Sequence, residues 1–250
     1  MRTEQQAWGS CPLLSPGGAD GEYCGCRVSE CPQGAFAADA LQEGAKADIG
    51  LVNGGSIRSS LPSGAVSEAE IVQMLPFLNP VVRLEIPGEI LRLALENSIS
   101  YLHREDFNGR FLHPSSSLKY EWFFEDGVPV LGPISYRSSA DRSFEPIDLE
   151  ATYTIALTSY IAGGGDGYTM FSDLPQVPTG KMQAEITSLY LTQMAASPPG
   201  LPLPSDGRII QMPSIMLLHV GLLCNAGPHG PSALSQLADR EACDHVLHTI

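Results

Sequence analysis

Between residues 34 and 211 the apolar positions recur with two periods, near 3.6 and near two, and the switches between them outline helices alternating with strands. Phe36, Ala37, Ala40 and Leu41 share a helical face, and Gly44 supplies a stop signal, which predicts a short helix over 34–44. A brief apolar run over 47–52 reads as a strand that enters the turn Asn53-Gly54-Gly55-Ser56-Ile57-Arg58. Ser67 followed by Glu70 has the spacing in which each residue satisfies an orphan amide of the other, so a helix opens there and ends before Pro76. Val82, Leu84 and Ile86 alternate with Arg83 and Glu85, predicting a strand wet on one face. Leu91, Leu95, Ile99 and Leu102 predict a helix over 88–103. Aromatic and β-branched runs over 118–124 and 153–160 read as strands, with the Gly- and Pro-bearing stretch 127–146 as loops. Ile186, Leu189, Tyr190 and Met194 give a last helix, and a short strand over 208–211 closes the pattern.

Residues 1–22 are rich in Gly, Pro and Ser without either period and read as a disordered leader. Beyond Met212 the periodicity lapses, so 212–250 reads as an unrelated, disordered tail. The nucleus is therefore one domain over residues 23–211. Its class is α/β in the broad sense that includes α+β, with layered helices and a mixed sheet. Twenty-five glycines and 20 prolines agree, since they favour many turns over long bundled helices.

Charge narrows the partners. Fourteen basic against 28 acidic residues give a formal charge of -14, which argues against nucleic acid as a partner. An anion would have to be held by a few local arginines. The six cysteines crowd toward the start, at Cys11, Cys24, Cys26 and Cys31, with Cys224 and Cys243 near the end. The early group reads as oxidised, Cys26 and Cys31 being able to close a small loop in a secreted or lumenal setting. A zinc site competes, but Cys-x-Cys-x4-Cys lacks the repeated Cys-x2-Cys spacing of structural sites. No apolar secretory segment follows the polar residues 1–10, and the run 215–224 is too short to cross a bilayer. Asp244, His245 and His248 are read as solvated rather than metal-bound.

Two glycine turns carry the candidate chemistry. Tyr160-Ile161-Ala162-Gly163-Gly164-Gly165-Asp166-Gly167-Tyr168 offers a carboxylate and two aromatic rings on a backbone nearly free of side chains, suiting a ligand with paired hydroxyls and a flat face. The alternative is a tight strand-to-helix turn capped by Asp166. In the earlier turn, Gly54 and Gly55 expose amides and Arg58 adds a forked cation, suiting phosphate or carboxylate. Its competing reading is a plain turn with a solvated arginine. That turn matches neither a nucleoside-triphosphate loop nor a dinucleotide loop.

Four stretches, in order, resemble the C-terminal domain of the 5'-nucleotidase family, which includes ecto-5'-nucleotidase and bacterial UDP-sugar hydrolases. They are Cys26-Arg27-Val28-Ser29-Glu30-Cys31 with Gly34 and Ala38-Asp39-Ala40, then Asn53 to Arg58, then Leu75-Pro76-Phe77, then Tyr160 to Tyr168. The resemblance implies a domain that recognises a nucleotide or nucleoside of the AMP kind. Phe77 and Tyr160 would sandwich the base, Asn53 would bond its edge, Asp166 would take the ribose hydroxyls, and Arg27 and Arg58 would steer the phosphate. It also implies a Cys26–Cys31 disulfide, an extracellular or cell-surface setting, and homodimers or pairing with a metallophosphatase domain. In the family that separate domain holds two divalent metals, zinc, and the catalytic residues. The expectation for this chain is therefore no catalytic residue, no metal ligand and no cofactor of its own. The parent activity is hydrolysis of a nucleoside 5'-monophosphate to nucleoside and phosphate. Competing readings are an interaction or decoy module that pairs with a full-length relative, or a truncated, non-functional fragment. Tyr160 stands where vertebrate members have phenylalanine, Ser56 where they often have a third glycine, and residues 111–116 where a glycine is usual. No Asp-x-His or Gly-Asn-His set occurs to build a dimetal site.

Overall fold

The computed structural model describes residues 25–62, 65–102, 108–138, 143–195 and 207–213. The expected leader, the tail beyond Pro213, Cys11, Cys24, Cys224, Cys243 and the Asp244, His245, His248 group lie outside those residues.

In chain order the elements are α1 (Gly25–Val28), α2 (Pro32–Ala45), β1 (Ile49–Asn53), α3 (Glu68–Met74), β2 (Pro80–Pro87) and α4 (Gly88–Ile99). There follow β3 (Leu112–Pro114), β4 (Leu118–Glu125), β5 (Val128–Tyr136), β6 (Glu145–Pro146), β7 (Thr152–Thr158) and α5 (Ser159–Ala162). The last are β8 (Val177–Met182), α6 (Gln183–Ala195) and β9 (Ile209–Gln211). One sheet has the order β3-β1-β7-β2-β8 and the other β6-β5-β4-β9. Both are mixed: β1 runs parallel to β7 and β4 parallel to β9, and the remaining pairs are antiparallel.

The first sheet is apolar on both faces, so it is covered twice. On one face Ile49, Leu51, Val82, Leu84, Ile155 and Leu157 pack with Leu91 and Leu95 of α4 and with Tyr120, Trp122 and Ile134 of the second sheet. On the other, Val52, Val81 and Ala156 meet Phe36 and Leu41 of α2, Ile71 and Met74 of α3, and Ile186 of α6. The result is the layered α+β arrangement that the periodicity predicts. The Ser67 hydroxyl accepts from the Glu70 amide and the Glu70 carboxylate from the Ser67 amide, so the capping box forms as expected.

The stretch read as loops over 127–146 is corrected: it holds β5 and β6. Proline obscured the strand. Opposite Glu121, β5 carries one extra residue between Leu131 and Ile134, where Gly132 and Pro133 sit, and such a bulge admits a residue that cannot donate to the ladder. β8, with Pro178 and Gly180 on a sheet edge, and the three-residue β3 escape sequence patterning for related reasons.

A buried ion pair ties the chain's late strand to its first long helix. Arg208 is 1% exposed. It gives two 2.8 Å hydrogen bonds to the Asp39 carboxylate on α2 and further bonds to the carbonyls of Ala35 and Pro114. Asp39 also accepts from the Ser116 amide at 2.7 Å, so α2, the β3–β4 turn and the residue that leads into β9 share one carboxylate. Removing one partner leaves the other charge buried. Asp39→Ala is expected to lower unfolding free energy by roughly 3 to 5 kcal/mol in urea titrations. A loss below about 1 kcal/mol would show that Arg208 is satisfied by the two carbonyls alone.

Candidate functional site

The parallel pairing of β1 with β7, Ile49 opposite Ile155 and Gly50 opposite Ala156, brings the ends of both strands to one sheet edge. β2 is antiparallel to β7, with Val81 opposite Thr158, so it starts at that edge and carries Phe77 and Asn79 toward it. Three connections therefore converge. They form a cleft of about 350 Å³ lined by Arg27, Asn53, Ser56, Arg58, Phe77, Asn79, Tyr160 and Asp166, with Gly55 and Gly109 contributing backbone.

All six residues expected from the sequence line this one cleft. Phe77 and Tyr160 are 44% and 47% exposed, and both rings line the cleft. Arg58 holds its guanidinium 5.7 Å from the Phe77 ring centroid. Tyr168 departs from its expected place: it is fully buried, stacked on Phe171 with centroids 5.9 Å apart, and donates its hydroxyl to the Arg110 carbonyl. Only Tyr160 of the two tyrosines serves the cleft.

The turn after β1 is built by close approach. A Cβ on Gly54 would lie 1.9 Å from the Cys26 carbonyl, so the glycine lets α1, with Arg27, seat against the turn. The amides of Gly54 and Gly55 donate to the carbonyls of Phe111 and Gly109 at 2.7 and 2.9 Å. They hold the turn in place, a different job from the anion cradle that two glycines suggest.

Asp166 sits at φ 52°, ψ 24°, a left-handed conformation that aspartate tolerates better than most side chains. Its Oδ2 accepts from Asn53 Nδ2 at 2.8 Å and its Oδ1 from the Tyr160 hydroxyl at 2.9 Å. Asn53 is itself committed, giving Nδ2 also to the Gly109 carbonyl at 3.3 Å and accepting from the Ser56 hydroxyl at Oδ1. Behind the loop, Asn97 donates to the Asp166 carbonyl at 3.2 Å, and Arg110 holds Asn97 Oδ1 at 3.0 Å while lying 3.7 Å over the Tyr101 ring. Sequence reasoning missed Asn79, Asn97, Gly109 and Arg110, because their contribution comes entirely from tertiary contact. The Tyr160 ring rests on Gly165, where a Cβ would meet Cε1 and Cζ at 2.6 Å. The hydrogen bond to Asp166 raises the Tyr160 pKa, with burial a smaller cause.

The expectation that this chain offers no cofactor site is corrected by a second grouping. Cys26, Cys31 and His113 each place a potential ligand atom within 4.8 Å of the others, a set capable of coordinating a metal ion. His113 Nε2 lies 2.8 Å from the Cys26 carbonyl and 3.8 Å from Cys31 Sγ. Burial lowers the His113 pKa to about 4, leaving the neutral imidazole that metals bind. Cysteine spacing could not find this set, since His113 is 82 residues from Cys31. The two sulfurs are joined in a disulfide with Cα atoms 5.1 Å apart, so thiolate ligands require the reduced pair. No carboxylate joins the set, which does not fit a two-metal hydrolytic centre, and no reaction step is assigned to it. The imidazole also fills room left by Gly34, where a Cβ would lie 2.2 Å from His113 Cγ.

Layered helices, paired mixed sheets and an aromatic-walled cleft rimmed by arginines define an α+β domain with a ligand-sized site at a strand-end edge. Its family follows from comparison: the model of "5'-nucleotidase, C-terminal domain" matches residues 12–173, and the chain belongs to that family. It is 32% identical over 161 residues to an apyrase of Tabanus yao, covering 59% of this chain and 29% of that protein. It is 28% identical over 203 residues to the snake venom 5'-nucleotidase of Naja atra, covering 74% of this chain and 37% of that protein. Among solved structures, the 5'-nucleotidase precursor of Thermus thermophilus superposes with a TM-score of 0.68 at 30% identity, over 76% of this chain and 37% of that one. The NAD nucleotidase of Haemophilus influenzae, with a TM-score of 0.66 at 20% identity over 84% of this chain and 37% of that one, shares the fold. The chain thus spans little more than a third of these relatives, at most.

The Tyr160–Asp166 bond has a pH signature. Its donor is the neutral phenol, so the bond is intact below the ordinary tyrosine pKa near 10 and is lost as pH rises through the raised value. Asp166→Asn should bring Tyr160 ionisation down toward the ordinary value, read by NMR of ring-labelled tyrosine. An unchanged Tyr160 titration in that variant would refute the bond.

Proposed function

We propose that the cleft recognises a nucleoside or nucleoside 5'-monophosphate, as the substrate-recognition domain of a 5'-nucleotidase-type hydrolase. The observation that carries the reading is the convergence of two exposed rings, two arginines and one carboxylate on a single cleft of about 350 Å³. Each has a task that its chemistry suits. Phe77 and Tyr160 flank the base, and a base–aromatic contact contributes about 1 to 3 kcal/mol. Asp166 accepts from the sugar hydroxyls. Arg27 and Arg58 bind the phosphate end as local cations in a chain of formal charge -14. Asn53 acts chiefly by holding Asp166, with the base edge reached only if its bond to Gly109 is exchanged.

The relatives named for 5'-nucleotidase and apyrase activity support hydrolysis as the reaction that this recognition serves. The chain spans little more than a third of these relatives at most, and the bond-breaking groups are proposed to come from a metallophosphatase domain, in the same polypeptide or a partner. The Cys26–Cys31 disulfide supports an oxidising, extracytoplasmic setting. No helix among the described residues is long and apolar enough to cross a membrane.

Calorimetric titration of AMP and adenosine into the full chain tests the reading. Saturable binding is expected, weakened about tenfold or more by Phe77→Ala. Arg58→Ala should weaken AMP more than adenosine, with the difference shrinking as salt is added. Absence of binding to either ligand by demonstrably folded protein would overturn the assignment.

A further inference from the structure

The two oxygens of Asp166 are satisfied in different ways. Oδ2 is held by Asn53, an amide pinned in turn by Ser56 and Gly109, so that partner belongs to the scaffold. Oδ1 is held by the hydroxyl of Tyr160, a half-exposed side chain that also forms a wall of the cleft. One acceptor is therefore fixed and the other exchangeable.

On the reading that the cleft binds nucleosides, we propose that the Tyr160 hydroxyl is a specificity-determining group that relaxes the demand for a sugar hydroxyl, by occupying Asp166 Oδ1 when the ligand has none to offer. A site built to bond a ligand hydroxyl rejects the analogue lacking it because a buried polar group is then left unpaired. Such an orphan weakens binding by about tenfold, and by more when it is charged. Here that orphan never arises: a deoxygenated sugar leaves the 2.9 Å Tyr160–Asp166 bond in place. A ligand that does carry the hydroxyl competes with the Tyr160 donor for Oδ1, so its net gain is reduced. Both effects compress the affinity ratio, and the class of ligand widens to ribosyl and deoxyribosyl compounds together.

The geometry keeps the two roles of Tyr160 separable. The ring lies on Gly165, which has no Cβ to lift it, so the stacking face is set by the backbone rather than by the hydroxyl. Tyr160→Phe removes the competing donor and keeps the ring. It should bind the hydroxyl-bearing ligand more tightly and the deoxygenated one less tightly.

The experiment is calorimetric titration of adenosine, 2'-deoxyadenosine and 3'-deoxyadenosine into the full chain and into Tyr160→Phe, with thermal melts confirming that both are folded. The wild-type ratio of deoxy to ribo Kd should lie within a few-fold of one, rising about tenfold in Tyr160→Phe for at least one of the two deoxynucleosides. A ratio unchanged in the variant, while all three ligands still bind, overturns the role of the hydroxyl and leaves the nucleoside assignment standing. Failure of folded wild type to bind any of the three overturns both.

Discussion

The parallel pairing of β1 with β7 is the constraint on which the site depends. Two strands that run the same way must end on the same side, so the turn after each is delivered to its neighbour without further design. The Asn53–Asp166 hydrogen bond then joins the two turns directly. β2, running the other way, completes the edge from its own beginning. The aromatic wall, the carboxylate and the arginines are thus far apart in the chain and adjacent by topology.

What lies behind the cleft explains why the turns can be so poor in side chains. Glycine-rich loops lose much conformational entropy on ordering, and here the loss is offset by contacts from outside the loop. Asn97 reaches the Asp166 carbonyl, Arg110 braces Asn97 and lies over Tyr101, and the amides of Gly54 and Gly55 close on Phe111 and Gly109. Apart from Asn53 at the end of β1, the six cleft residues stand on the short helices and connections at the strand ends, and these contacts hold those connections in place. At the opposite end of the same construction, Arg208, which leads into β9, joins α2 and the β3–β4 turn on one carboxylate.

Much of this was legible in residue order where local physics decides the outcome. The Ser67–Glu70 box, the alternation over Val82, Leu84 and Ile86, and the repeat through Leu91, Leu95 and Ile99 each specify an element by themselves. β5 was not legible, because Gly132 and Pro133 deny the pattern at a bulge that only the partner strand reveals. The six cleft residues could be named through glycine turns and family resemblance. Tyr168 could not be told from Tyr160 by composition, since one is core and the other a wall. His113 beside Cys26 and Cys31 was invisible, as spacing carries no information about a strand so distant in the chain.

The contact between Gly34 and His113 also bears on how this domain can vary over generations. An imidazole stands where any side chain at position 34 would need to be. Enlarging position 34 alone drives atoms into the ring, and shrinking position 113 alone opens a void beside the disulfide. The two positions are therefore sterically coupled. Lineages should pass between glycine with a bulky partner and a bulkier residue with a small partner mainly by paired or compensated changes, leaving a trace of covariation between α2 and β3.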